Sequence, residues 1–267
     1  MLGAVYGDII GSWYESHTTK NYNFPFHSKS EFTDDTVMTT AVCKAILENN
    51  RNITRNQIKS RGYEYAVRYK QYYSYFPYAG YGKMFAKRAK SHSMNVQKSY
   101  GNGGAMRAVP IGYAYHSEEQ ILLQAKASCY YTHNCKEAIH GTQAVAMAVF
   151  MARNGKTKNS IREYLMKKFH YDLDYTIEDI KPNYSFNSST NYSVPPAIVA
   201  FLDSNDYESA VRNAVSLGGD ADTMACIAGG MAEAFYKKIP KNIKSFCSSR
   251  IDITLKKILN EFSEIYC

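Results

Sequence analysis

Apolar residues in this chain recur at helical spacing wherever a clear period can be read, and no segment sustains the alternation that a strand requires. From Thr33 onward, Val37, Met38, Ala41, Val42, Ala45 and Ile46 form one stripe, and Ala138, Val145, Ala148 and Val149 form another within Lys136 to Ala152. Met224, Ile227, Ala228, Met231 and Phe235 mark a third helix; Leu255, Ile258, Leu259 and Phe262 mark a last one. Ser117-Glu-Glu-Gln120 is a capping-box pattern that opens a helix through Tyr130, and Ser160-Ile-Arg-Glu163 is a second, opening a helix that ends near Phe169. Between Asn183 and Ser193 the chain is Asn, Ser, Thr and Tyr without a period, which predicts a loop, and Pro195 and Pro196 then allow a helix from about Ala197. No repeat of solenoid length is present. The expectation is an all-α, compact, bundle-like fold in a single domain over residues 1–267.

Composition narrows the class. With 267 residues, 45% of them hydrophobic, and only 7 Pro, the chain can bury a large core and is neither disordered nor collagen-like. Its longest apolar run, Ala144 to Ala152, falls far short of the ~20 residues of a membrane-spanning helix, so no membrane partner is expected. Asp8 interrupts the apolar start and no basic leader precedes it, which argues against a secretory signal. Six scattered cysteines without a C-x-x-C pair fit a reduced, cytoplasmic protein. The net charge of +8 permits nucleic-acid binding, but Tyr63, Tyr65, Tyr69, Tyr72 and Tyr73 among the basic residues from Arg51 to Lys98 fit a packed helix with a solvated basic face. Nucleic acid is therefore the less favoured partner, and the charge would in either case attract an anionic small ligand.

Candidate chemistry lies at the helix edges. Gly7-Asp8 with Gly11 and Glu15 is one cluster, Thr33-Asp34-Asp35-Thr36 a second, and Gly218-Gly219-Asp220-Ala221-Asp222-Thr223 a third. Acidic residues at helix starts commonly serve as caps. Capping uses one side-chain oxygen, however, whereas Asp34 with Asp35 and Asp220 with Asp222 crowd like charges that a hard cation such as Mg²⁺ or Mn²⁺ would hold together. Gly101-Asn102-Gly103-Gly104-Ala105-Met106-Arg107 is a glycine-rich turn whose backbone can approach phosphate oxygens, although it lacks the Walker spacing. Thr132-His133-Asn134 precedes a long helix, and a lone histidine there is ordinarily structural.

Together and in this order, these five motifs resemble the ADP-ribosylglycohydrolase family, over about residues 1 to 237. The resemblance implies an all-α orthogonal bundle with a two-metal centre that binds ADP-ribose and hydrolyses its bond from ribose C1″ to an acceptor. It implies Thr33, Asp34, Asp35, Asp220, Asp222 and Thr223 as ligands to two Mg²⁺ ions, with Asp222 bridging and Mn²⁺ as a substitute. Glu15 matches the family's flexible-loop glutamate, and Glu15, Asp34 and Asp35 are the implied catalytic carboxylates; either Glu15 or Asp34 would be the base. Gly101, Asn102, Gly103, Gly104, Met106, His133, Gly218 and Gly219 are the implied ADP-ribose contacts. The partner implied is an ADP-ribosylated protein or small molecule. An arginine or other guanidine linkage is favoured slightly over serine or O-acetyl-ADP-ribose, and Tyr72–Tyr81 and Lys181–Val194 are expected to rim the cleft. A non-catalytic ADP-ribose-binding or immunity protein is the alternative.

Overall fold

Gly3, Gly7 and Gly11 stand on successive turns of the first helix, and a backbone-to-backbone helix contact is built on them. The computed structural model describes residues 1–91 and 93–267. Its helices run α1 (Leu2–Ser16), α2 (Asp34–Glu48), α3 (Ile58–Tyr75), α4 (Lys83–Lys90), α5 (Val109–Ala114), α6 (Glu118–Cys129) and α7 (Lys136–Arg153). They continue α8 (Lys158–Phe169), α9 (Ile177–Ile180), α10 (Thr190–Leu202), α11 (Tyr207–Ser216), α12 (Ala221–Tyr236), α13 (Lys241–Ser248) and α14 (Ile253–Tyr266). Among the described residues there is no sheet, and the fold is all-α as expected. Two isolated antiparallel bridges, Lys98 with His133 and Gly101 with Ser189, pin the segment before α5.

A Cβ at Gly3 would come within 2.5 Å of the Gly229 carbonyl oxygen, one at Gly7 within 2.0 Å of that of Ala225, and one at Gly11 within 2.4 Å of that of Ala221. Backbone therefore meets backbone along α1 and α12. Glycine in a helix interior costs up to ~1 kcal/mol relative to alanine, and the close approach of the two helices is what it permits here. Asp8 and Glu15 ride on α1 and Asp222 on α12, so the same contact sets the distance between carboxylates.

The apolar stripe of α2 is buried throughout, and α7 buries Ala138, Val145, Ala148 and Val149 at the centre of the bundle. Ser117 caps α6 as expected, its hydroxyl accepting the Gln120 N–H at 3.3 Å, and α6 ends one residue early at Cys129. Two expectations are corrected. Ser160 does not open α8: Thr157, with an extended backbone, is the N-cap and accepts the Ser160 N–H at 3.2 Å, which leaves Ser160 inside the first turn. The loop after Asn183 is also shorter, because α10 begins at Thr190 and contains Pro195 and Pro196. Proline has no N–H to donate one turn back. The Tyr192 carbonyl, which Pro196 therefore leaves free, accepts the Tyr184 hydroxyl at 2.8 Å, so a side chain outside the helix fills the deficit.

Tyr65, Tyr69, Tyr72 and Tyr73 are buried, as a packed helix requires, while Tyr63 is half exposed. The basic stretch is less of a solvated face than expected, because Arg61 and Arg88 are buried. Arg61 donates to Glu64 at 2.6 Å and to Gln124 at 3.0 Å and lies over the Tyr65 ring. All six cysteines are free, and no helix among the described residues is long and apolar enough to cross a membrane.

The α1–α12 contact can be tested directly. Gly7→Ala should lower stability by about 3 kcal/mol or more through backbone overpacking, read as a reduced thermal midpoint. Gly82→Ala, where a Cβ meets nothing within 4 Å, should leave that midpoint close to wild type.

Candidate active site and metal centre

Asp8 enters the acidic cluster from the buried face of α1 and is fully shielded from solvent. Its carboxylate accepts the Thr33 N–H at 3.0 Å, the Thr33 hydroxyl at 2.8 Å, the Thr36 N–H at 3.1 Å and the Thr36 hydroxyl at 2.5 Å. Thr33 in turn caps α2 by accepting the Asp35 N–H at 3.3 Å. The first turn of α2 is thus clamped to α1, and Asp34 and Asp35 are delivered to the start of α12. Thr223 donates its hydroxyl to one oxygen of Asp35 at 3.1 Å; the other, Oδ1, is buried without a hydrogen-bond partner.

Asp220 and Asp222 flank the first residue of α12. The Asn102 amide donates to Asp220 at 2.8 Å and to Ser193 at 3.0 Å, tying the glycine loop to α12 and α10. Glu15, exposed in the last turn of α1, places a carboxylate oxygen within 4.8 Å of oxygens of both Asp220 and Asp222. Six carboxylates therefore converge: Asp8, Glu15, Asp34, Asp35, Asp220 and Asp222. Among the described residues none of them forms an ion pair.

Burial raises every carboxyl in the group, and mutual repulsion adds to it at Glu15, Asp34, Asp35 and Asp222. Burial, opposed by four hydrogen bonds, pushes Asp8 up to about 6. Burial followed by repulsion from Asp8, Asp220 and Glu15 pushes Asp34 up to about 8. Asp35 and Asp222 rise well above the ordinary range for the same reasons, and Asp220 and Glu15 rise as well. An all-oxygen donor set with excess negative charge and an orphaned buried oxygen on Asp35 fits a hard divalent cation.

A cleft of about 360 Å³ opens over the cluster. Glu15, Asp34, Asp35, Asp220, Asp222 and Thr223 line it, joined by Gly101, Asn102, Gly103, Met106 and His133. Most of the residues expected from the sequence thus share one cavity. Thr33 faces the neighbouring groove instead, Gly104 packs against Thr142, Gly218 lies against Lys20 with φ +67°, and Gly219 packs against Tyr184 and Met224. Gly80, from the first expected rim, and Phe186 and Ser188, from the second, complete the mouth.

Glu15 and Gly80 also border a second groove of about 660 Å³ lined by Trp13, Lys29, Glu31, Tyr75 and Tyr78. Trp13 is sandwiched between His17 and His27, with ring centroids 3.7 and 3.8 Å away, and Lys29 lies over its ring. Tyr78 is 97% exposed. A larger concavity of about 810 Å³ around His140, Tyr171 and Tyr192 contains none of the six carboxylates, so size alone does not locate the chemistry.

The sequence names Asp8 within the first acidic cluster and Arg107 at the end of the glycine motif but gives neither a role of its own; the structure places Asp8 in the clamp between α1 and α2 and Arg107 buried against the cleft.

A family model described as ADP-ribosylglycohydrolase matches residues 1–264. The chain belongs to the ADP-ribosylglycohydrolase family. It is 27% identical to ADP-ribosylhydrolase ARH3 of Xenopus tropicalis, over 91% of this chain and 88% of that protein, and 26% identical to human ADP-ribosylhydrolase ARH3, over 92% and 87%. A putative ADP-ribosyl glycohydrolase of Acanthamoeba polyphaga mimivirus is 24% identical over 90% of this chain. Among solved structures, an ADP-ribosylglycohydrolase-related protein complex matches the fold with a TM-score of 0.72 at 22% identity, covering 96% of this chain and 92% of that one. As an ADP-ribosylglycohydrolase, the protein is an enzyme that hydrolyses glycosidic bonds of ADP-ribose.

Stability should carry the signature of the crowded carboxylates. Groups whose pKa rises on folding favour the folded state at low pH and lose that contribution as pH rises through the folded value. The metal-free protein should therefore melt at progressively lower temperature from about pH 4 to about pH 8, the window bounded by the ordinary carboxylate value and the raised value of Asp34. A divalent cation at a hundred times its Kd should restore about 2.7 kcal/mol at the upper end. Melting curves with EDTA and with Mg²⁺ at the two pH values check both signs.

Proposed function

We propose that the protein removes ADP-ribose from a polypeptide acceptor by divalent-cation-dependent hydrolysis at ribose C1″. The observation that carries this reading is the position of Glu15, which borders both the acidic, glycine-loop cleft and the aromatic groove beyond it. ADP-ribose fills the first, the acceptor lies in the second, and the bond between them crosses Glu15.

Thr33, Asp34, Asp35, Asp220, Asp222 and Thr223 are the residues to hold two Mg²⁺ ions, or Mn²⁺ in their place. When bound, the ions supply positive charge that orients the ribose hydroxyls and acidifies water at the anomeric carbon. Glu15 accepts a proton from the attacking water as the water oxygen bonds to C1″ and the bond from C1″ to the acceptor breaks; the proton then passes to the leaving group. The surrounding carboxylates stabilise the oxocarbenium character of that transition state. The Asn102 N–H is already donated to the Ser188 carbonyl at 2.9 Å, and its side chain holds Asp220 and Ser193, so Asn102 shapes the loop while Gly103 offers its N–H to the diphosphate.

The groove favours a chain-like acceptor over a small one, since a small acyl group would leave most of about 660 Å³ unfilled. Its carboxylates, Glu15 and Glu31, beside the exposed rings of Tyr75 and Tyr78, suit a guanidinium, and an arginyl linkage is the first reading.

Release of free ADP-ribose from matched arginine- and serine-linked peptides, with Mg²⁺ and with EDTA, tests the function and reads the linkage. Glu15→Gln should lower kcat by ~10²–10⁴-fold, and Asp222→Asn should abolish cation-dependent turnover. Tyr78→Ala should raise KM for the peptide more than for O-acetyl-ADP-ribose. Full activity of Glu15→Gln, or equal KM changes for the two substrates, would remove the two parts of the reading separately.

A further inference from the structure

Arg107 is 1% exposed, faces the cleft, and forms no ion pair among the described residues. Its guanidinium stacks on the Tyr69 ring at 4.0 Å, and Nη2 donates to the Thr132 hydroxyl at 2.7 Å and to the Ser128 carbonyl at 3.4 Å; the buried Nε has no acceptor. A desolvated charge without a counter-charge is costly, which directs attention to what it holds in place.

Thr132 Oγ1 lies 2.8 Å from His133 Nδ1. The protons in this row can be counted. Arginine only donates, so the Thr132 oxygen accepts from Arg107, and its own hydrogen must find another acceptor. His133 Nδ1 is the one within reach. If Nδ1 carried a proton, the Thr132 hydrogen would be buried without a partner. Nδ1 is therefore bare, and the ring proton sits on Nε2. Burial, reinforced by the Arg107 charge, lowers the histidine to about 3, so the ring is neutral.

Nε2 faces the glycine loop: a Cβ on Gly103 would stand 3.0 Å from it and one on Gly101 3.8 Å. Side chains at those positions would cover the N–H, and glycine leaves it open to the cleft.

We propose that Arg107 and Thr132 are positioning residues that lock His133 as the neutral Nε2–H tautomer, an uncharged donor to an anionic oxygen of the bound ligand. The Arg107 charge behind it favours that anion. The identity of the ligand as ADP-ribose, with the oxygen on its diphosphate, rests on the function proposed above; the tautomer does not.

The ¹⁵N imidazole spectrum of the metal-free full chain at pH 7, with His133→Gln to assign the signal, should show a bare Nδ1 and a protonated Nε2. In Thr132→Val the preference should be lost, and binding of ADP-ribose and inorganic diphosphate should weaken about tenfold, the loss of one hydrogen bond. Thr132→Ser, which keeps the hydroxyl, should restore both, with melting curves confirming that each variant is folded. A protonated Nδ1 or an imidazolium in the wild type overturns the proposal, as does an unchanged tautomer and affinity in Thr132→Val. Because the tautomer is read without ligand, failure of the wild type to bind ADP-ribose, with the expected spectrum and diphosphate binding intact, overturns the function alone.

Discussion

The Asp8 carboxylate is the fixed point of this molecule. Two backbone N–H groups and two hydroxyls from Thr33 and Thr36 converge on it, and a buried charge so satisfied is held far more tightly than a surface one. Without it the Thr33 and Thr36 N–H and hydroxyl groups at the start of α2 would lose their shared acceptor on α1. The consequence is organisational: a residue whose oxygens are consumed by the scaffold sets the placement of neighbours whose oxygens remain free.

Around that point the fold works against its own electrostatics. The glycine stripe of α1 draws two helix backbones into contact, and the carboxylates they carry are pressed together with no lysine or arginine paired to them. Evenly spread, those charges would cost little at a protein surface. Concentrated at three element edges, they form a cavity wall whose preferred occupant is a cation, and the neighbouring glycine loop has the opposite preference. A ligand with hydroxyls at one end and a diphosphate at the other matches both.

Much of this architecture was legible in the residues, and the failures have definite causes. Stripes such as Val37 to Ile46 located helices because burial enforces the helical period. The paired aspartates stood out because they exceed what capping needs. Ser160 misled because a pattern match cannot tell which of two hydroxyl residues one turn apart adopts the extended backbone, and Thr157 does. Pro195 and Pro196 misled because the donor that stands in for the missing Pro196 N–H, the Tyr184 hydroxyl, comes from a separate segment. Asp8 and Arg107 were visible as members of motifs but not in their roles, for a related reason: those roles depend on partners distant in the chain, Thr33 and Thr36 for one, Thr132 for the other. Gly218 and Gly219 lie beside the acidic motif, yet the turn there directs them at Lys20 and Tyr184 rather than at the cleft.

The stacked wall of the outer groove has an optical consequence. Trp13 is the chain's one tryptophan, two residues before Glu15, and it is clasped between two imidazoles. Tyrosine, of which the chain has 24, absorbs little at the red edge of the indole band, so emission excited there arises from this one ring, in the wall of the outer groove and close to its boundary with the cleft. The molecule carries its own unlabelled reporter of what enters that boundary.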